Sequence, residues 1–164
     1  MPFDFSPTSD DEVLVALSRG LAFFAGDGEW CKGDVCDEAG ARCALGATLN
    51  VTLEEIYASL EPDSEESFIE VNDWLERVDG RVVGCLVGAM SFSDKRRALR
   101  KYAGEGKKFG WKTAPRVLIR EAAQRVRDNP EHLVVSFNDA DETVFEEVVA
   151  LFERAVTARA LALA

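Results

Sequence analysis

The sequence predicts a mainly α fold, a compact multi-helix single domain, and three observations carry that expectation. Apolar residues recur at helical spacing in separated stretches, Leu14, Leu17, Leu21 and Phe24 near the start and Phe145, Val149, Phe152 and Val156 near the end. Ser, Thr or Asp stands ahead of most such stretches, where its side-chain oxygen can accept from a free backbone N–H. The 164 residues are 47% apolar and 30% charged, a size and balance that bury one core without disulfides or a metal. The chain is read as one domain over 1–164, with a folded core at 8–160 and residues 1–7 as a loose N-terminal arm.

Taken in order, Ser9 with Glu12 forms a capping box for the first helix, and the glycines of Gly26-Asp27-Gly28 end it by adopting the left-handed conformation. "ARCALGATLN", 41–50, reads as a short helix. Thr52 with Glu55 starts another, which ends near Pro62. Residues 65–78 align Phe68, Val71, Leu75 and Val78, with Gly80 after them. "VVGCLVGAM", 82–90, is too short for its period to separate a buried strand from a buried helix. "HLVVSF", 132–137, reads as a short strand, so one two-stranded pairing of about 82–87 with 132–137 stays open. Ser93 caps a basic helix to about Tyr102, "AGEGKKFGWK" is loop, and Thr113 caps a helix with Pro115 in its first turn. Asp139 with Glu142 opens the last helix, with Asn138 as a turn former. "CALGA" at 43–47 echoes "CLVGA" at 85–89, but the following Asn-Asp pairs lie 29 and 53 residues on, which speaks against a duplication.

No apolar run approaches the roughly 20 residues that cross a bilayer. The opening "MPFDFSPTSD" lacks the basic start and apolar stretch of a secretory signal. The expected setting is cytoplasmic, with no membrane partner and with thiols kept reduced. The net charge of −11 is unevenly placed: residues 95–127 hold twelve Lys or Arg against Glu105 and Glu121, a local +10, which leaves −21 on the rest. Such opposed blocks either attract one another within the fold or leave a basic face open to an anionic partner.

Three chemistries compete for the cysteine-rich stretch 30–47. Structural zinc needs closely paired ligands; Cys31, Cys36 and Cys43 are wider apart, and Cys85 or His132 would have to complete the set from afar. A thiol nucleophile needs a lowered pKa and a base, which Cys43 with His132 and either Asn138 or Asp139 supplies on paper. The third reading, favoured here, has the cysteines filling space, so no metal and no cofactor is expected. An acidic cation site at Asp139, Asp141 and Glu142 competes with simple helix capping, which suffices to explain those residues.

Within 104–113, "GEGKKFGWKT", Trp111 stands where a phosphate-binding loop needs Gly before its Lys, which argues against nucleoside triphosphate binding. Phe109, Trp111 and Tyr102 interleaved with Lys107, Lys108 and Lys112 do suit single-stranded nucleic acid. An ordinary solvated loop is the plainer alternative.

Trp30-Cys31-Lys32-Gly33, then Cys43-Ala44-Leu45-Gly46-Ala47, then "FNDADETVFEEVVALFERAV" from Phe137 resemble the signature segments of a bacterial and phage family of unknown function. The resemblance covers roughly 10–50 and 132–157 and leaves 65–130 unplaced. It implies no activity; it does imply that Trp30, Gly33, Cys43, Gly46, Asn138 and Asp139 belong to one framework.

The leading expectation is therefore a non-enzymatic binding or regulatory domain acting on a macromolecular partner, most simply a protein, in a phage or mobile-element context. Its candidate framework or binding residues are Trp30, Cys31, Gly33, Gly46, Lys107, Lys108, Trp111 and Lys112. The alternatives are a cysteine-dependent acyl-transfer or peptide-hydrolysing enzyme using Cys43 and His132, and a nucleic-acid binder working through 95–127.

Overall fold

A computed structural model describes residues 11–37, 39–51, 55, 75–108 and 115–164. Helix α1 (Glu12–Ala25) starts at Asp11, whose Oδ1 accepts from the Leu14 N–H at 2.7 Å. The predicted cap, Ser9, lies outside the described residues. The Asp11 carboxylate also receives Nε and an Nη of Arg159 at 3.1 and 2.7 Å, so one side chain caps the first helix and ties it to the last. The Arg159 guanidinium, with the Leu14 N–H, holds that carboxyl down at about 2. Gly26 closes α1 at φ −92°, not in the left-handed region.

Five further helices follow among the described residues: α2 (Gly80–Ala89), α3 (Phe92–Lys108), α4 (Pro115–Asp128), α5 (Glu131–Asp139) and α6 (Phe145–Leu163). The mainly α expectation holds, and the only β features among them are isolated bridges. The proposed pairing of 82–87 with 132–137 is not formed, because both segments are helical. Asp79 caps α2 through the Arg81 N–H at 2.8 Å, and α5 begins after Pro130. Both are short; α5 is packed between other helices, and the exposed side of α2 carries Gly80, Gly84 and Gly88 in place of polar residues, so neither shows a clear period in the sequence. Gly80, read as a stop, is the first residue of α2.

Ser91 caps α3 in place of Ser93: its Oγ accepts from the Asp94 N–H at 3.1 Å while its own N–H donates to Asp94 Oδ2 at 2.9 Å. The helix runs six residues past its predicted end, through Gly104 and Gly106. Glu105 supports that extension by pairing with Lys101 at 3.5 Å and Lys108 at 3.1 Å. Ala103 is buried against Leu118 and Ala122 of α4. The expected Asp139–Glu142 box is absent; the Val144 N–H donates instead to Glu147 at 3.1 Å at the start of α6. Residues 43–47 form turns and 85–89 lie in α2, so the sequence echo carries no shared conformation.

The core joins α1, α2, α5 and α6, with α3 laid on α5 and α4 on α3. α1 contributes Val13, Leu17, Leu21 and Phe24, and α6 contributes Val148, Leu151, Phe152 and Ala155; each stripe is displaced by a residue at some positions from its predicted face. Phe24 meets Phe145 and Phe152 edge-on, at 5.7 Å each. Arg97 joins α3 to α6 with two bonds to Glu147, 2.6 and 3.0 Å, and one to Thr143 Oγ1 at 3.1 Å. No helix among the described residues is long and apolar enough to cross a membrane.

Gly20 sets the approach of α1 to α6, since a Cβ there would run into the Phe152 ring. Gly20→Ala is expected to destabilise the protein by about 1–3 kcal/mol through forced repacking, as measured by denaturant unfolding.

Candidate functional site

Residues 29–37 and 39–51 form a strap laid against the helical core. Trp30 and Cys36 each bridge to Arg42, one parallel and one antiparallel. The Arg42 N–H donates to Glu29 O, the Cys31 N–H to Arg42 O and the Cys43 N–H to Val35 O, at 2.9, 3.1 and 3.0 Å. Asp37 closes the turn between the two runs by accepting from the Ala39 and Ala41 N–H groups, each at 2.9 Å. The Arg42 side chain is buried, bonded to the carbonyls of Leu49 and Val51 and lying 4.7 Å over the Phe23 ring. The helix expected at 41–50 shrinks to one 3-10 turn, Gly46–Thr48. Gly46 has to be glycine here, because a Cβ would collide with the Val35 carbonyl oxygen.

Asn138, at the end of α5 and 1% exposed, fastens the strap to the helices. Its Oδ1 accepts from Trp30 Nε1 at 2.7 Å and from the Ala44 N–H at 3.0 Å. Its Nδ2 donates to Cys31 O at 3.0 Å and to Asp139 Oδ1 at 2.9 Å. All four hydrogen-bonding positions of the amide are filled. Asp139 Oδ1 also accepts from the Gly33 N–H at 2.9 Å, with Gly33 at φ +88°, where a side chain is strained. Lys32 Nζ reaches Ala140 O at 2.6 Å and Thr143 O at 2.9 Å while lying 5.0 Å from the Trp30 ring. Trp30, Cys31, Gly33, Cys43, Gly46, Asn138 and Asp139 are thus brought to one junction.

The thiols there are poorly placed for attack. Cys43 is buried, its sulfur accepts from the Gly46 N–H at 3.4 Å, and burial pushes its thiol up to about 12. Burial also raises Cys31, whose Sγ donates to Asp34 O at 3.4 Å, and raises Cys36 despite the opposing charge of Arg42. His132 does not join them. It lies in the first turn of α5 with its ring stacked on Tyr102 at 5.3 Å, six residues and roughly 9 Å of helix axis before Asn138. The Asn138 amide, fully committed, has no bond left with which to orient an imidazole. Among the described residues no group of three or more His, Cys, Asp or Glu side chains is arranged to hold a metal ion.

A second cluster lies on α3 and α4. Lys107 and Lys108 end α3 exposed, while Trp111 and Lys112 lie outside the described residues. Arg97 is paired with Glu147, Lys101 and Lys108 with Glu105, and Arg125 with Glu121. Arg96, Arg100, Lys107, Arg120 and Arg127 are exposed and form no ion pair among the described residues. Tyr102, expected as a stacking platform, is instead packed on His132 and the α3–α4 cluster. Sequence reasoning passed over Phe92, which is 82% exposed one turn before Arg96. The four-residue interval was visible, but it means something only once the helix is known to start at 92.

Two measurements test the junction. Asn138→Ala should cost about 3 kcal/mol or more in denaturant unfolding, because four groups lose their partner, whereas Trp30→Phe, which removes one N–H, should cost about 1–2 kcal/mol. Thiol alkylation at pH 8 should leave Cys43 unmodified in the native protein and label it after denaturation. A thiolate forms only as pH rises toward the folded value of about 12, so native labelling should stay low even at about pH 9, where a free cysteine is already largely ionised, with peptide mass spectrometry as the readout.

No curated protein and no solved structure is significantly similar to the chain. A family model does match, over residues 9–158, taking in the strap, the basic helices α3 and α4 and the Asn138 junction together. The chain belongs to that family, described as a family of unknown function, DUF6197.

Proposed function

We propose that the domain is a non-enzymatic binding module that engages an anionic macromolecular partner through the exposed basic face of α3 and α4. The observation that carries this reading is the surplus of cations left after internal pairing. Glu105, Glu121 and Glu147 occupy four of the basic side chains, while Arg96, Arg100, Lys107, Arg120 and Arg127 stay exposed on a protein of net charge −11. Five exposed cations on two adjacent helices give an acidic protein a locally positive surface, which attracts an anionic partner. The cysteine-enzyme reading is weaker, since its thiol is buried and protonated and its base is stacked elsewhere. A cytoplasmic setting and a phage or mobile-element context belong to the same proposal, through composition and the resemblance of the three motifs.

Retention on immobilised heparin tests the basic face directly. The wild-type protein should bind at low ionic strength despite its acidity and elute with salt. The variant Arg96→Glu/Arg100→Glu/Lys107→Glu should flow through with an unchanged far-UV circular dichroism spectrum. Wild-type protein that flows through at low salt overturns the proposal.

A further inference from the structure

Resting on the reading of α3 as an anion-facing helix, we infer that the partner is single-stranded nucleic acid, taken along one ridge of that helix. Phe92, Arg96, Arg100, Gly104 and Lys108 follow one another at four-residue intervals, with Lys107 beside the last, and all six are exposed. Side chains four apart are neighbours on a helix, so these form a continuous ridge that winds round the axis by about 40° at each step. It is about 24 Å long. Both carboxylates of α3 are already paired: Glu105 with Lys101 and Lys108, and Asp94, buried, with Arg154 at 3.2 Å.

Three features of the row distinguish its occupant. Phe92 is 82% exposed at the head of the cations, an aromatic face on which a base can stack, while the cations track phosphates. Gly104 interrupts the cations with bare backbone. A Cβ there would meet nothing within 4 Å, so packing does not require glycine, and in an exposed helix interior glycine is less favourable than alanine. Its use is explained by an approach closer than a side chain would permit. The row also lacks the apolar centre on which a protein interface depends: beyond Phe92 it is entirely cationic or bare. Phosphate and base satisfy all three features, whereas an acidic peptide uses only the charges. A duplex, with its bases stacked inside, gives Phe92 no open face.

The test is fluorescence anisotropy with a fluorescein-labelled 20-nucleotide oligothymidylate at low salt, with a duplex of equal length and polyglutamate as competitors. The single strand should bind more tightly than the duplex, and its affinity should fall linearly with the logarithm of salt concentration. Phe92→Ala should weaken single-strand binding roughly tenfold without changing the salt slope, the signature of a lost stack. Arg96→Glu/Arg100→Glu should reduce the slope. Heparin retention without oligonucleotide binding, or displacement by polyglutamate alone, overturns this inference and leaves the anionic-partner reading standing. Equal affinity for duplex and single strand with no effect of Phe92→Ala overturns the assignment to single strands. Loss of both heparin and oligonucleotide binding overturns both readings.

Discussion

A single buried amide determines how the irregular strap of this molecule is attached to its helices. Asn138 leaves no donor or acceptor unmet, and its four partners come from an indole, two backbone groups of the strap and the neighbouring Asp139. A buried amide so saturated favours one arrangement over all near alternatives, because any shift of the strap by a residue strands polar groups away from water. The positions of Gly33 and Gly46, the bonding of Lys32 and the burial of Cys43 all follow once that arrangement is set. The cysteines are neighbours of this construction, with Cys43 serving as an acceptor inside it.

The chemistry suggested by residue types alone therefore dissolves in three dimensions for a definite reason. Cys43 and Asn138 do come together, as a catalytic reading requires, but the strap brings them together for packing. His132 is on the same short helix as Asn138 yet at its other end, and no sequence spacing reveals which end a loop will cross. The capping logic was legible in kind more than in place. Asp11 and Ser91 act where Ser9 and Ser93 were expected, because several eligible side chains cluster at each helix start and only packing selects among them.

Periodicity served well for the long helices α1 and α6 and failed for α2, whose exposed stripe is made mostly of Gly80, Gly84 and Gly88 and so does not read as polar, and for α5, which exposes no residue fully. The extent of α3 was hidden by its glycines: Gly104 and Gly106 look like breakers, yet ion pairs at Glu105 and the seam with α4 carry the helix through. That error concealed the surface row as well, since a loop has no four-residue neighbours. The local excess of positive charge was plain from the sequence; which cations were free could be learned only by seeing which had partners.

The double duty of Asp11 has a mechanical consequence. By gripping both the opening turn of α1 and Arg159 near the far end of α6, it buckles the start of one helix to the end of the other like a belt. Loosening either end releases the other, so the outermost turns, which in most domains fray independently, are here joined to the cooperative unit.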